Sequence, residues 1–100
     1  MNYIVGSKDS GKTRKLLELA KQENALFICR NPLAMARKAE AYGITGLQFI
    51  SFEEVEYNGV IIEDKFVVDE VSDFLAYFLT SNCIGFTQTQ PEEPVQENID

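Results

Sequence analysis

Residues Gly6-Ser7-Lys8-Asp9-Ser10-Gly11-Lys12-Thr13 read G-x-x-x-x-G-K-T, and no other stretch restricts the fold of this chain as tightly. The apolar run Tyr3-Ile4-Val5 precedes them and an amphipathic run begins at Lys12, so the motif sits between a strand and a helix. Gly6 lets the chain leave the strand at dihedrals other residues avoid, and Gly11 lets backbone approach a ligand closely. Successive N–H groups then line one hollow at the start of a helix, where the macrodipole favours negative charge. In that arrangement Lys12 reaches the β- and γ-phosphates of a nucleotide, and the Thr13 hydroxyl ligates Mg²⁺. Gly6, Ser7, Lys8, Asp9, Ser10, Gly11, Lys12 and Thr13 are therefore the candidate nucleotide-binding set. Asp9 is the odd member: its N–H serves, but its carboxylate must face away from phosphate.

A chain of 100 residues makes one small domain with a single core. Phosphate-binding domains of this type are usually larger, so a minimal version is expected. The net charge is −7; Glu92, Glu93, Glu97 and Asp100 supply four of the negative charges, leaving −3 for residues 1–91. That balance disfavours nonspecific binding to nucleic acid or to an anionic membrane, although Lys8, Lys12, Arg14 and Lys15 can form a local basic patch. No apolar run approaches 18 residues and the N-terminus lacks a signal-peptide core, so a soluble, cytoplasmic protein is expected. Cys29 and Cys83 lie in apolar runs without metal or redox spacing and read as reduced, buried thiols. The chain has no histidine, which removes imidazole from metal ligation and acid–base chemistry.

In chain order, residues 2–5 read as a short strand and 12–23 as a helix with Leu16, Leu17 and Ala20 on one face, ended by Asn24. Ala25-Leu26-Phe27-Ile28-Cys29 is an apolar run of strand length, as when both faces of a parallel sheet are covered. Asn31-Pro32 opens a second helix that runs to about Tyr42 and stops at Gly43. Leu47–Ile50 is a third strand, and Ser51-Phe52-Glu53-Glu54 has the pattern of a capping box before a helical turn. Asn58-Gly59 reads as a hairpin turn into Val60-Ile61-Ile62. Phe66-Val67-Val68 is a further strand, followed by a helix carrying Val71, Phe74, Leu75, Phe78 and Leu79. Cys83–Thr87 reads as the last strand, and residues 90–100 as an acidic, disordered tail. This alternation predicts an α/β fold: a small three-layer sandwich around a mostly parallel sheet of about five strands, in residues 1–89. In such sheets ligands lie beyond the carboxyl ends of the strands.

Phe66-Val67-Val68-Asp69-Glu70 places two acids at one of those ends. Asp69 is positioned to hold Mg²⁺, which takes a few carboxylates together with water, and Glu70 to orient the water that attacks a γ-phosphate. The same two acids could simply cap the next helix. Together the two motifs, known as Walker A and Walker B, resemble those of the P-loop NTPases, in the branch of RecA-like ATPases and first helicase lobes with a glutamate after the Walker B aspartate. The resemblance spans residues 2–89, but only the two motifs are specific. It implies a P-loop fold, ATP or another NTP with Mg²⁺ as ligand, and Lys12 and Glu70 as catalytic residues. It also implies that Cys83–Thr87 lies between the loop strand and the Walker B strand, with Thr87 or Gln88 as a sensor of the γ-phosphate. Leu47–Val55 looks like the strand and turn before Walker B in helicase lobes. Thymidine kinases are a second likeness, through Gly6–Thr13 and Asp69-Glu70, but their cysteine-ligated zinc lobe is missing. Small stand-alone P-loop proteins of phages are similar in size.

Arg30, after the second strand, is a candidate contact for phosphate or nucleic acid, and Tyr42 and Tyr57 are candidates for stacking on a base. No arginine is recognisable as a cis arginine finger, a group that raises turnover roughly 10³–10⁵-fold where present. Slow hydrolysis is therefore expected unless a partner or second copy contributes one. The sequence leaves three functions open: an NTP-binding protein with slow Mg²⁺-dependent hydrolysis, a non-enzymatic protein-interaction module on the same fold, and a nucleoside kinase-like phosphotransferase. An incomplete sheet would leave an edge able to self-associate, so a protein partner or homo-oligomer also stands among the expectations.

Overall fold

The computed structural model describes residues 4–7, 9–58, 65–79, 82–87 and 97–98. In chain order the elements are β1 (Ile4–Val5), α1 (Lys12–Glu23), β2 (Leu26–Cys29), α2 (Pro32–Ala41), β3 (Phe49–Ser51), α3 (Phe52–Asn58), β4 (Phe66–Val68), α4 (Val71–Leu79) and β5 (Glu97–Asn98). Local chemistry sets most of the boundaries. Asn24 takes the left-handed conformation (φ 53°) and its N–H closes on the Ala20 and Lys21 carbonyls, which ends α1 and turns the chain into β2. Asn31 caps α2 by accepting from the Ala34 N–H at 3.1 Å, with Pro32 fixing the first turn. Ser51 and Glu54 form a reciprocal capping box at the start of α3, with bonds of 3.0 and 3.2 Å.

Strands β3, β2 and β4 form a parallel sheet in that order, with Phe27 between Phe49 and Val67 and Ile28 between Ile50 and Val68. The alternation along β2 divides the core. Phe27 and Cys29 pack with Leu17, Ala20, Ala25 and Ala39 beneath α1 and α2. Ile28 packs with Ile50 and Phe52, backed by Val68 and Phe74, beneath α3 and α4. Both faces of the central strand are thus covered, as its unbroken apolar sequence requires.

The architecture is a small α/β domain, but among the described residues its main sheet has three strands, not about five. β1 pairs in parallel with β5 as a separate two-stranded ribbon, Ile4 opposite Glu97 and Val5 opposite Asn98. The expected last strand does not form: residues 83–87 are irregular and exposed, with Ile84 fully open to solvent. A five-residue apolar run becomes a strand only beside a ladder partner, and among the described residues none pairs with it. It therefore does not lie between β1 and β4. Cys83, expected in the core, is exposed, whereas Cys29 is buried as expected. The hairpin expected at Asn58-Gly59 falls largely outside the described residues.

Candidate functional site

The loop from Gly6 to Thr13 delivers the chain from β1 into α1, and left-handed backbone falls on Asp9 (φ 64°) and Gly11 (φ 92°). Gly11 has open space where a Cβ would stand, so its backbone angle, not crowding, is what calls for glycine. The α1 N-terminus has no side-chain cap and no acid in its first turn, leaving its first N–H groups without a competing carboxylate. Within the loop, the Ser7 carbonyl accepts from the Ser10 N–H at 3.2 Å and from the Lys12 ammonium at 3.1 Å. The Ser10 hydroxyl is buried and lacks a hydrogen-bond partner among the described residues. Asp9 is exposed, and Lys8 lies outside the described residues.

Asp69 and Glu70 follow β4 and close on this loop from the opposite side. The Asp69 N–H donates to the Ile28 carbonyl at 2.9 Å, extending the ladder one residue past β4 and fixing where the side chain starts. The Thr13 hydroxyl donates to Asp69 Oδ1 at 3.2 Å. Glu70 takes the left-handed conformation (φ 59°), an uncommon state for this residue, and its carboxylate stands 3.7 Å from the Lys12 ammonium. Its carbonyl accepts from the Asp73 and Phe74 N–H groups and so starts α4. The helix-capping alternative thus describes the Glu70 backbone, while the two carboxylates turn to Thr13 and Lys12.

The electrostatics of Asp69 follow from its position. Burial pushes its carboxyl above the ordinary 3.8; the Thr13 hydrogen bond opposes the rise, the charge of Glu70 adds to it, and Lys38 and Lys12 oppose it. Lys38, on α2, is a contributor that no local pattern in the sequence marks. Behind the site, burial first and the charge of Asp69 second push the Cys29 thiol up to about 11, which keeps it protonated.

Among the described residues no group of three or more His, Cys, Asp or Glu side chains gathers to hold a metal. Mg²⁺ needs no such cage, since it binds through one or two protein oxygens plus water and phosphate. The adjacent Thr13 hydroxyl and Asp69 carboxylate, with the unpartnered Ser10 hydroxyl nearby in sequence, are a donor set of that kind.

The remaining candidates are placed elsewhere. Arg30 follows β2 and pairs with Asp73 of α4 at 3.7 Å. Tyr42 is half-buried beneath the Arg14 guanidinium, 4.9 Å from its ring centre, and Tyr57 is 76% exposed on α3. Thr87 lies in the exposed irregular segment, outside any strand, and Gln88 is outside the described residues. Among the described residues no helix is long and apolar enough to cross a membrane. Compared with models of protein families, with curated proteins and with solved structures, the chain finds no match in any of the three.

Proposed function

We propose that this protein binds a nucleoside triphosphate, with ATP as the reference ligand, together with Mg²⁺, and hydrolyses it slowly. The observation that carries this reading is the Thr13–Asp69 hydrogen bond, which joins the hydroxyl of one motif to the carboxylate of the other across 56 residues of chain. A helix-capping role for Asp69 would not need Thr13, whereas a shared cation needs both.

On this reading the loop amides and the α1 N-terminus receive the phosphates, Lys12 leaves Glu70 to pair with the β- and γ-phosphates, and Thr13 and Asp69 hold the cation. Mg²⁺ supplies neutralisation of the charge shared by the phosphate oxygens. Glu70, released by Lys12, accepts the proton of a water that attacks the γ-phosphorus as the bond to the β-phosphate oxygen breaks. Turnover is slow on this reading unless a partner or second copy contributes an arginine finger.

Binding of a fluorescent ATP analogue, measured with Mg²⁺ and again with a chelator, tests this reading. Affinity in the wild type should rise with Mg²⁺, and Thr13→Ala and Asp69→Ala should lose that rise. Mg²⁺ dependence that survives both substitutions overturns it.

A further inference from the structure

On the face of the sheet away from α1 and α2, α4 does not behave as a core helix. None of its residues is buried, and Val71, Leu75, Tyr77, Phe78 and Leu79 are 39–57% exposed. The exposed surface is nevertheless ordered. Phe52 meets Phe74 edge-on at 5.3 Å, Phe74 meets Phe78 at 5.0 Å and Phe78 meets Tyr77 at 5.2 Å, giving a linked aromatic platform. Beside it a cleft of about 410 Å³ opens between α3 and α4, lined by Arg30, Ser51, Phe52, Glu53, Ala76 and Tyr77. That space admits a long side chain.

Among the described residues, charge around this platform is predominantly negative. α3 and α4 together carry Glu53, Glu54, Glu56 and Asp73 and no lysine or arginine. Arg30, the cation at the cleft, already pairs with Asp73. On the other side of the sheet, α1 and α2 carry Lys12, Arg14, Lys15, Lys21, Arg37 and Lys38 against Glu18, Glu23 and Glu40. An apolar platform whose described rim carries Glu53, Glu54, Glu56 and Asp73 against the single cation Arg30 disfavours phosphate and anionic headgroups and attracts a cationic, apolar-faced segment. A second copy is a poorer occupant, because two chains of charge −7 repel.

We infer that the outer face of α3 and α4 is a docking surface for a basic amphipathic helix of a partner protein. The apolar stripe of that helix lies on Leu75, Tyr77 and Phe78. A lysine or arginine enters the cleft with its methylenes on Phe52 and Tyr77 and its charge at Glu53. Nothing in this surface belongs to the phosphate loop.

The test is calorimetric titration of the full chain with a synthetic helical peptide of leucines on one face and lysines on the other, beside a control with glutamate for each lysine. The lysine peptide should bind saturably, weaken with added salt, and shift amide resonances on α3 and α4. The double substitution Glu53→Gln and Glu56→Gln, at exposed positions, should weaken it by about tenfold while the circular dichroism stays that of the wild type. Lys12→Ala should bind the peptide as the wild type does, which separates this outcome from that of nucleotide binding. No binding, equal binding of the glutamate peptide, or resonance shifts confined to α1 and α2 overturns the inference. So does self-association or partition onto lipid vesicles that is abolished by Leu75→Glu.

Discussion

The ammonium of Lys12 stands 3.7 Å from the carboxylate of Glu70, so the residue expected to hold phosphate and the residue expected to polarise water occupy each other before any ligand arrives. Their side chains are 24% and 49% exposed, which makes the pair worth no more than about 1 kcal/mol after solvent screening. Glu70→Gln should free Lys12 and raise triphosphate affinity by about two- to fivefold, while release of inorganic phosphate falls by about 10²-fold or more. Binding and turnover measured on the same variant check this. A fall in affinity, or unchanged turnover, contradicts the roles assigned here.

Asp69 gives a pH prediction with a definite sign. Its folded value lies above the ordinary 3.8 because burial disfavours the charged form. The fold therefore favours the protonated acid; that contribution is full below 3.8 and is lost as pH rises through the folded value. At pH 7 the ionised carboxylate costs stability, so Asp69→Asn, which still accepts from Thr13, should raise the unfolding free energy measured in urea by up to about 1 kcal/mol. The gain should vanish as pH falls to the ordinary carboxylate range. The same variant should lose Mg²⁺-dependent nucleotide binding. A gain that persists unchanged into acid contradicts the burial argument.

Two thiols in different settings predict a simple count. Cys83 is exposed and Cys29 is buried, its thiol pushed up to about 11. A thiol reagent at pH 7.5 should modify Cys83 at once and Cys29 only after unfolding, because the thiolate is the reactive form. Rapid modification of both in the folded protein contradicts the placement of Cys29 beneath α1 and α2.

Asn31→Ala removes the acceptor of the Ala34 N–H and should cost about 1 kcal/mol in chemical denaturation, without affecting nucleotide binding. A cost near zero would mean that water satisfies this end of α2 equally well.

What was legible in the sequence is what short-range chemistry decides. Asn24, Asn31-Pro32 and the Ser51–Glu54 pair set helix ends through contacts three or four residues long, and each forms as the sequence implies. The β2 run was legible because an unbroken apolar strand needs cover on both faces. Cys83–Thr87 misled because a short apolar run has no period of its own; its state depends on whether a distant strand offers an edge. The pairing of β1 with β5 was illegible for the same reason. At the site, Thr13 and Asp69 were marked by their motifs, but the influence of Lys38 on Asp69 arises only when α2 packs over β2. The apolar spacing of α4 was plain, whereas its exposure was not, since periodicity tells which face is apolar and not what covers it.

Calorimetric titration of Mg·ATP into the wild type and Lys12→Ala asks whether Lys12 serves a triphosphate. The wild type should bind saturably and Lys12→Ala about tenfold more weakly or worse, with the circular dichroism of the two superimposable. Equal heats in both proteins, or none in the wild type, would rule out a phosphate-binding role for Lys12.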